Sequence, residues 1–231
     1  MKKVLLNLVF LLALVCFAEA QEFKVADIFS DNMVLQQKTT TPIWGWADAG
    51  AIVTVTSSWN DKSYSVKVGK DGTWRIMLHT PEAGGPYILT ITEDKTITFS
   101  DVYIGEVWLA SGQSNMAMQL KECYESTKAI LASQKSNIRF INVPPLGSYK
   151  PLTDIKADWV VAAPENVGDC SAVAWYFAHF IQENLGVPVG IINASFGGSI
   201  VETWMSRETC QTLGDISVPE VSDGTTGWEA N

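Results

Sequence analysis

Val102-Tyr103-Ile104-Gly105-Glu106-Val107-Trp108-Leu109-Ala110 runs directly into Ser111-Gly112-Gln113-Ser114-Asn115-Met116. The first nine residues form a nearly continuous apolar run, the composition of a strand covered on both faces in a parallel sheet. The next six are small or polar and lead into a predicted helix over 115–133. Ser114 therefore sits where a strand gives way to a helix, and its N–H group and those after it are unpaired helix-start donors with the positive end of the dipole behind them. Gly112 lets the chain turn sharply and keeps the approach to the serine free of a side chain. This is how a nucleophilic serine is presented, although a Ser-Asn pair at a helix start also serves simply as a cap. The pattern is not G-x-S-x-G, so the nucleophile elbow of the α/β-hydrolases is not what is seen.

Toward the C-terminus strand and helix keep alternating. A strand is expected over 137–143, a long irregular connection over 144–168, and a helix over 172–185 that stops at Gly186. A second buried strand over 187–194 ends in the turn Ser195-Phe196-Gly197-Gly198-Ser199, with a helical start near Ile200. This order implies right-handed crossovers and an open α/β sheet, which binds ligands at the carboxyl ends of its strands. The turns at Gly112 and at Gly197-Gly198 both fall at such ends, on one edge of the sheet.

Toward the N-terminus the pattern is different. From about residue 22 to 100, short β-rich runs alternate with turn formers, as in an all-β sandwich. Strands are expected over 33–36, 42–47, 52–57, 63–68, 74–78, 87–92 and 96–99. Ala49-Gly50, Asn60-Asp61, Lys70-Asp71-Gly72 and Ala83-Gly84-Gly85-Pro86 mark the turns. Trp44, Trp46 and Trp74 read most simply as core of that sandwich, the alternative being a sugar-binding aromatic platform.

Met1-Lys2-Lys3, an apolar run from Val4 to Ala18, and Ala18-Glu19-Ala20 describe a secretory signal peptide with cleavage after Ala20. A lipid anchor on Cys16 is disfavoured by Val15 in the place of a small residue. The mature protein is expected to be exported, periplasmic or extracellular, with no membrane insertion after cleavage. Of four cysteines, Cys123, Cys170 and Cys210 remain after cleavage, so at least one is unpaired within the chain. No C-x-x-C occurs, which argues against a redox motif or a zinc knuckle. A formal net charge of −9 and the lack of basic clusters make nucleic acid and anionic membrane surfaces unexpected partners.

The segment 104–116, with Gly112-Gln113-Ser114-Asn115-Met116 at its end, resembles the first motif of the SGNH hydrolases of the sialate O-acetylesterase family. The resemblance covers essentially the whole mature chain. Phe29-Ser30-Asp31-Asn32-Met33-Val34-Leu35-Gln36 and Pro42-Ile43-Trp44-Gly45-Trp46-Ala47 resemble the start of that family's β domain. Ser171-Ala172-Val173-Ala174-Trp175-Tyr176-Phe177-Ala178 resembles one of its helices, and Ser195 to Ile200 with Trp204 its second motif, where Ser199 replaces a more usual threonine. The resemblance implies an SGNH-type three-layer α/β fold with a parallel sheet, incomplete here, preceded by the all-β sandwich-like domain. It divides the chain into a signal peptide (1–20), a β domain (21–100) and the amino-terminal part of an esterase domain (101–231).

The same resemblance implies that Ser114 is the nucleophile and that its N–H is the first oxyanion donor. The second donor is Gly198, with Gly197 left open. Glu106 and Trp204 match recurrent positions and read as supports of the site. No metal or organic cofactor is called for. The implied activity is a serine carboxylesterase that removes O-acetyl groups from sialic acids or related glycan sugars. The alternatives are an acetylxylan-type deacetylase, a non-catalytic carbohydrate-binding protein working through Trp59 or Trp74, and an inactive product. The family's Q-G-E and D-x-x-H motifs do not occur. His79 falls in the β domain, and His179 lies inside a helix with Tyr176 where an acid is needed. Neither reads as the base. The chain is therefore expected to be an amino-terminal fragment, inactive alone and aggregation-prone.

Overall fold

The structure, a computed structural model, describes residues 21–148, 151–214 and 216. The expected signal peptide and residues 217–231 lie outside them. Seven strands precede the segment on which the fold turns: β1 (Lys24–Val25), β2 (Val34–Gln36), β3 (Thr40–Trp46), β4 (Ile52–Ser57), β5 (Ser63–Lys67), β6 (Thr73–His79) and β7 (Gly84–Thr92). Period-two patterning decides which faces meet. In β6, Trp74, Ile76 and Leu78 are buried while the residues between them face water, and in β4 Val53, Val55 and Ser57 point inward. β1, β3 and β6 form one antiparallel sheet, and β5, β4 and β7 lead into a second. Side chains of both sheets share one core, with Ile43 and Leu78 of the first and Val55, Leu89 and Ile91 of the second fully buried. Trp74 belongs to that core, and Trp44 and Trp46 pack against it half-buried.

β8 (Thr96–Gly112) is 17 residues long and unbroken. The expected strand 96–99 and the buried strand that opens the α/β grammar are one element, and the expected division at 100/101 falls inside it. Asp101 bends it with φ +53° and accepts an ion pair at 3.0 Å from Arg139, whose guanidinium lies 3.8 Å from the Tyr103 ring centroid. The strand pairs antiparallel with β7 as far as Ile104 and parallel with β2 over 103–105. Among the described residues, it pairs from Glu106 to Gly112 parallel with β11 (Val189–Ser195) alone. Gly105 marks the exchange of neighbours: a Cβ there would lie 2.1 Å from the Pro188 carbonyl oxygen.

β11 also pairs parallel with β9 (Ile138–Asn142), and β10 (Val160–Val161) closes that side antiparallel. The expected helix over 115–133 is broken in two. α1 (Ser114–Ala117) is a single turn, a 3-10 turn covers Leu120–Glu122, and α2 is Ser126–Ala132. Nothing in the local sequence forbids a continuous helix. Tertiary pairing overrides it: Gln119 bridges Ser171, Leu120 N–H donates to Cys170 O at 2.9 Å, and Ala172 N–H donates to Met118 O at 2.9 Å. α3 (Ala172–Leu185) matches its expected bounds, because Ser171 Oγ caps its start and Gly186 ends it at φ +67°. α3 packs Ala174, Trp175 and Ala178 inward and leaves Tyr176, Phe177 and Phe180 exposed. α4 spans Arg207–Thr212.

The connection 144–168, expected to be irregular, contains the short strand β10 and the start of a 3-10 turn at Val167, and it is anchored to the segment around β1. Asp154 pairs with Lys24 at 2.5 Å and accepts from Asp27 N–H at 2.7 Å, while Trp159 is buried and its Nε1 donates to Ile28 O at 2.8 Å. Among the described residues no helix is long and apolar enough to cross a membrane.

Candidate active site

Parallel pairing brings the two glycine-containing turns together. Ala194 lies opposite Ser111 and Ser195 opposite Gly112, so β8 and β11 end side by side. Phe196 N–H then continues the ladder to Gly112 O at 2.9 Å. One residue on, a Cβ built on Gly197 would stand 3.8 Å from the Ser114 Cα, so the second turn touches the backbone of the first. Gly198 follows at φ +81° with open space where a side chain would project.

Gly112 adopts φ +153°, a conformation that an L side chain rarely takes, and it turns the chain from β8 into α1. Gln113 caps α1: its backbone carbonyl accepts from Met116 N–H at 3.0 Å and from Ala117 N–H at 2.9 Å. Its side-chain Oε1 accepts from Ser114 N–H at 2.8 Å and also accepts a close hydrogen bond from Ser114 Oγ. One carbonyl oxygen thus engages both the expected nucleophile and the expected oxyanion donor. Ser114 is exposed, and α1 is steadied from behind by Ser171 Oγ, 3.4 Å from Met116 Sδ.

Neither histidine of the chain stands beside Ser114. His79 lies in β6, where Nδ1 is 3.5 Å from Thr40 Oγ1, and His179 pairs with Glu183 on α3 at 3.5 Å and packs against Trp175. Glu106, expected as a support and not as a chemical participant, is held at the far end of the stretch of β8 that pairs with β11. It lies six residues before Gly112, about 20 Å along an extended strand, and accepts from Gln37 Nε2 at 2.7 Å and Gln36 Nε2 at 3.4 Å. It ties β2 to β8 and does not line the site. Trp204 is at the site edge: its Nε1 donates to Ser199 Oγ at 2.9 Å, and Ser199 Oγ in turn donates to Phe196 O at 2.7 Å. Of the tryptophans considered for glycan binding, Trp74 is buried and Trp59 packs on Tyr87 with its Nε1 donating to His79 O at 3.2 Å.

Sequence reading missed a polar ladder along the same sheet edge. Ser195 Oγ donates to Asn193 Oδ1 at 2.8 Å, Asn193 Nδ2 to Asn142 Oδ1 at 2.9 Å, and Asn142 Nδ2 to Asp169 O at 3.4 Å. The available signal was the asparagine that ends each apolar run, after Ile141 and after Ile192. The three cysteines in the described residues are all free. No cluster of three or more His, Cys, Asp or Glu side chains placed to hold a metal ion occurs among the described residues.

No protein-family profile matches the chain. A sialate O-acetylesterase of Mus musculus is 30% identical over 224 residues, covering 89% of this chain and 41% of that protein. Its namesake in Homo sapiens is 31% identical over 212 residues, covering 83% of this chain and 40% of that protein. The crystal structure of a carbohydrate acetylesterase from Xanthomonas citri superposes with a TM-score of 0.77 at 34% identity, over 83% of this chain and 44% of the other. The chain spans about two fifths of the length of the curated relatives it matches. With both glycine-containing turns on one sheet edge and these matches extending across most of its residues, the chain is a relative of the sialate O-acetylesterases.

Proposed function

We propose that this protein is a serine esterase that removes O-acetyl groups from sialic acids or related glycan sugars, built on an SGNH-type α/β fold behind a β-sandwich domain and exported from the cell. The observation that carries the reading is the meeting of Ser114, at the start of α1, with Gly197-Gly198, in a chain whose relatives are named acetylesterases.

In this reading Ser114 Oγ attacks the acetyl carbonyl carbon, the carbonyl π electrons move onto oxygen, and the alkoxide so formed accepts hydrogen bonds from Ser114 N–H and from Gly198 or Gly197 N–H. Collapse of this intermediate breaks the bond to the sugar oxygen, which takes up the proton abstracted from Ser114 and leaves as a hydroxyl, and an acetyl-serine remains. Water then repeats the sequence and releases acetate. The Gln113 side chain has to leave Ser114 as substrate arrives, because its Oε1 engages the same N–H that the alkoxide needs. The proton of Ser114 goes to a base from outside the described residues, since His79 and His179 are both committed elsewhere. An acetylxylan-type substrate uses the same steps on a different sugar.

The test is acetate release from 9-O-acetyl-N-acetylneuraminic acid by the natural full-length protein. Ser114→Ala is expected to lower kcat by about 10³-fold or more, as loss of a covalent nucleophile does. Turnover retained in that variant, or absent in the wild type, overturns the reading.

A further inference from the structure

Beside the two turns lies a cavity of about 320 Å³ lined by Leu146, Leu152, Phe196, Thr203 and Trp204 among others. Its wall starts next to the nucleophile, because Phe196 is bonded to Gly112 and Gly197 abuts Ser114. The volume lies at the lower end of small-molecule sites, about 300–1,000 Å³, and far exceeds what an acetyl group fills. The lining combines aliphatic and aromatic surface with a threonine, as suits a ring with one apolar and one polar face.

Trp204 is 45% exposed, which is unusual for so large an apolar side chain, yet its ring is not free to turn. The indole N–H is held by Ser199 Oγ, and that hydroxyl is anchored to the Phe196 carbonyl by its own proton. Ser199 is itself buried at 5% exposure, so these two bonds account for its polar group. The effect is to fix an exposed aromatic face at a set angle above the loop that carries Gly197 and Gly198. A face held in this way loses little side-chain entropy when a ligand covers it.

We propose that Trp204 is the platform on which the C–H face of the substrate's pyranose ring stacks, and that Ser199 is the positioning residue that holds it. The proposal rests on the acetylesterase reading for its substrate. It adds a specificity determinant: the sugar ring, and not the acetyl group alone, is recognised beside Ser114. Replacement of threonine by serine at 199 keeps the hydroxyl that both bonds require, and Ser199→Thr is accordingly expected to behave as the wild type.

The experiment compares two acetyl esters in the natural full-length protein, 9-O-acetyl-N-acetylneuraminic acid and ethyl acetate, which has no ring to stack. Trp204→Ala is expected to reduce kcat/KM for the sugar ester at least tenfold more than for ethyl acetate, mostly through KM. Ser199→Ala is expected to produce a smaller split in the same direction, restored by Ser199→Thr. Equal losses on both esters would overturn the proposal, because a merely structural tryptophan disturbs the acetyl chemistry whatever the leaving group. A second readout does not need turnover. Saturation-transfer NMR with the Ser114→Ala protein should detect the acetylated sugar, and adding Trp204→Ala should remove the signal. Binding lost in this way without any turnover by the wild type sinks the esterase reading and keeps the platform. Turnover by the wild type with binding unaffected by Trp204→Ala does the reverse.

Discussion

The two stretches of β8 are similar in sequence and opposite in setting. Up to Ile104 the strand has β7 and then β2 beside it, and Val102 and Ile104 are completely buried between two sheets. From Glu106 onward it has β11 alone among the described residues, and Trp108 and Leu109 remain 42% and 66% exposed although the run Val107-Trp108-Leu109-Ala110 is as apolar as anything before it. Trp108 meets Phe177 of α3 edge-to-face at 5.0 Å. Hydrophobicity along a strand thus says what its residues favour, while the neighbours decide what is buried.

The sharpest way to break this comparison is to remove the same kind of mass from each stretch. Ile104→Ala leaves a cavity in a closed core and is expected to cost about 2–5 kcal/mol. Leu109→Ala removes a side chain already largely in water and is expected to stay within about 0.5 kcal/mol. Urea unfolding followed by circular dichroism measures both. Comparable costs would mean that Leu109 is covered in solution and that the two stretches are alike.

A smaller effect is expected at the junction. The Cβ of Gly105→Ala would have to displace the Pro188 carbonyl from 2.1 Å, and backbone cannot yield as the end of a flexible side chain does. The cost is expected to be about 1–3 kcal/mol. It should fall on the register of β11 against β8, so hydrogen exchange at Glu106 N–H, which is bonded to Pro188 O at 2.9 Å, should accelerate more than exchange within β4. Uniform acceleration would show that β11 and β4 open as one unit.

The sequence made the period-two strands, α3 and the two turns legible because each is written locally. Val53 and Val55 of β4 alternate with Thr54 and Thr56, and Ser171 and Gly186 punctuate α3. The serine stands out because an apolar run stops at small residues. What was not legible depends on partners distant in sequence. The continuity of β8 through Asp101 relies on Arg139, the break after Ala117 on pairing with residues 170–172, and the burial of Trp159 on the Ile28 carbonyl. The partners of Glu106 are of the same kind, since Gln36 and Gln37 lie about seventy residues before it.

The smallest effect separates surface from interior within the open half. Cys170 belongs to a second core, with Leu120, Trp175 and Ile191, and burial pushes its thiol up to about 12 from an ordinary 9.0. Cys123 is half-buried, with its Sγ 3.9 Å from Gln119 O. At pH 8, iodoacetamide is expected to alkylate Cys123 in the native protein and Cys170 only after denaturation, which peptide mass mapping resolves, because the thiolate is the reacting form. The sign of the linked effect follows. The unfolded thiol releases its proton near pH 9 and the folded one does not, so this contribution is intact below pH 9 and is lost as pH rises toward 12. Native alkylation of Cys170 at a rate near that of Cys123 would mean that water reaches the layer between α3 and the sheet. The openness of the second stretch of β8 would then extend through the core beneath α3; protection would confine it to the face that carries Trp108 and Leu109.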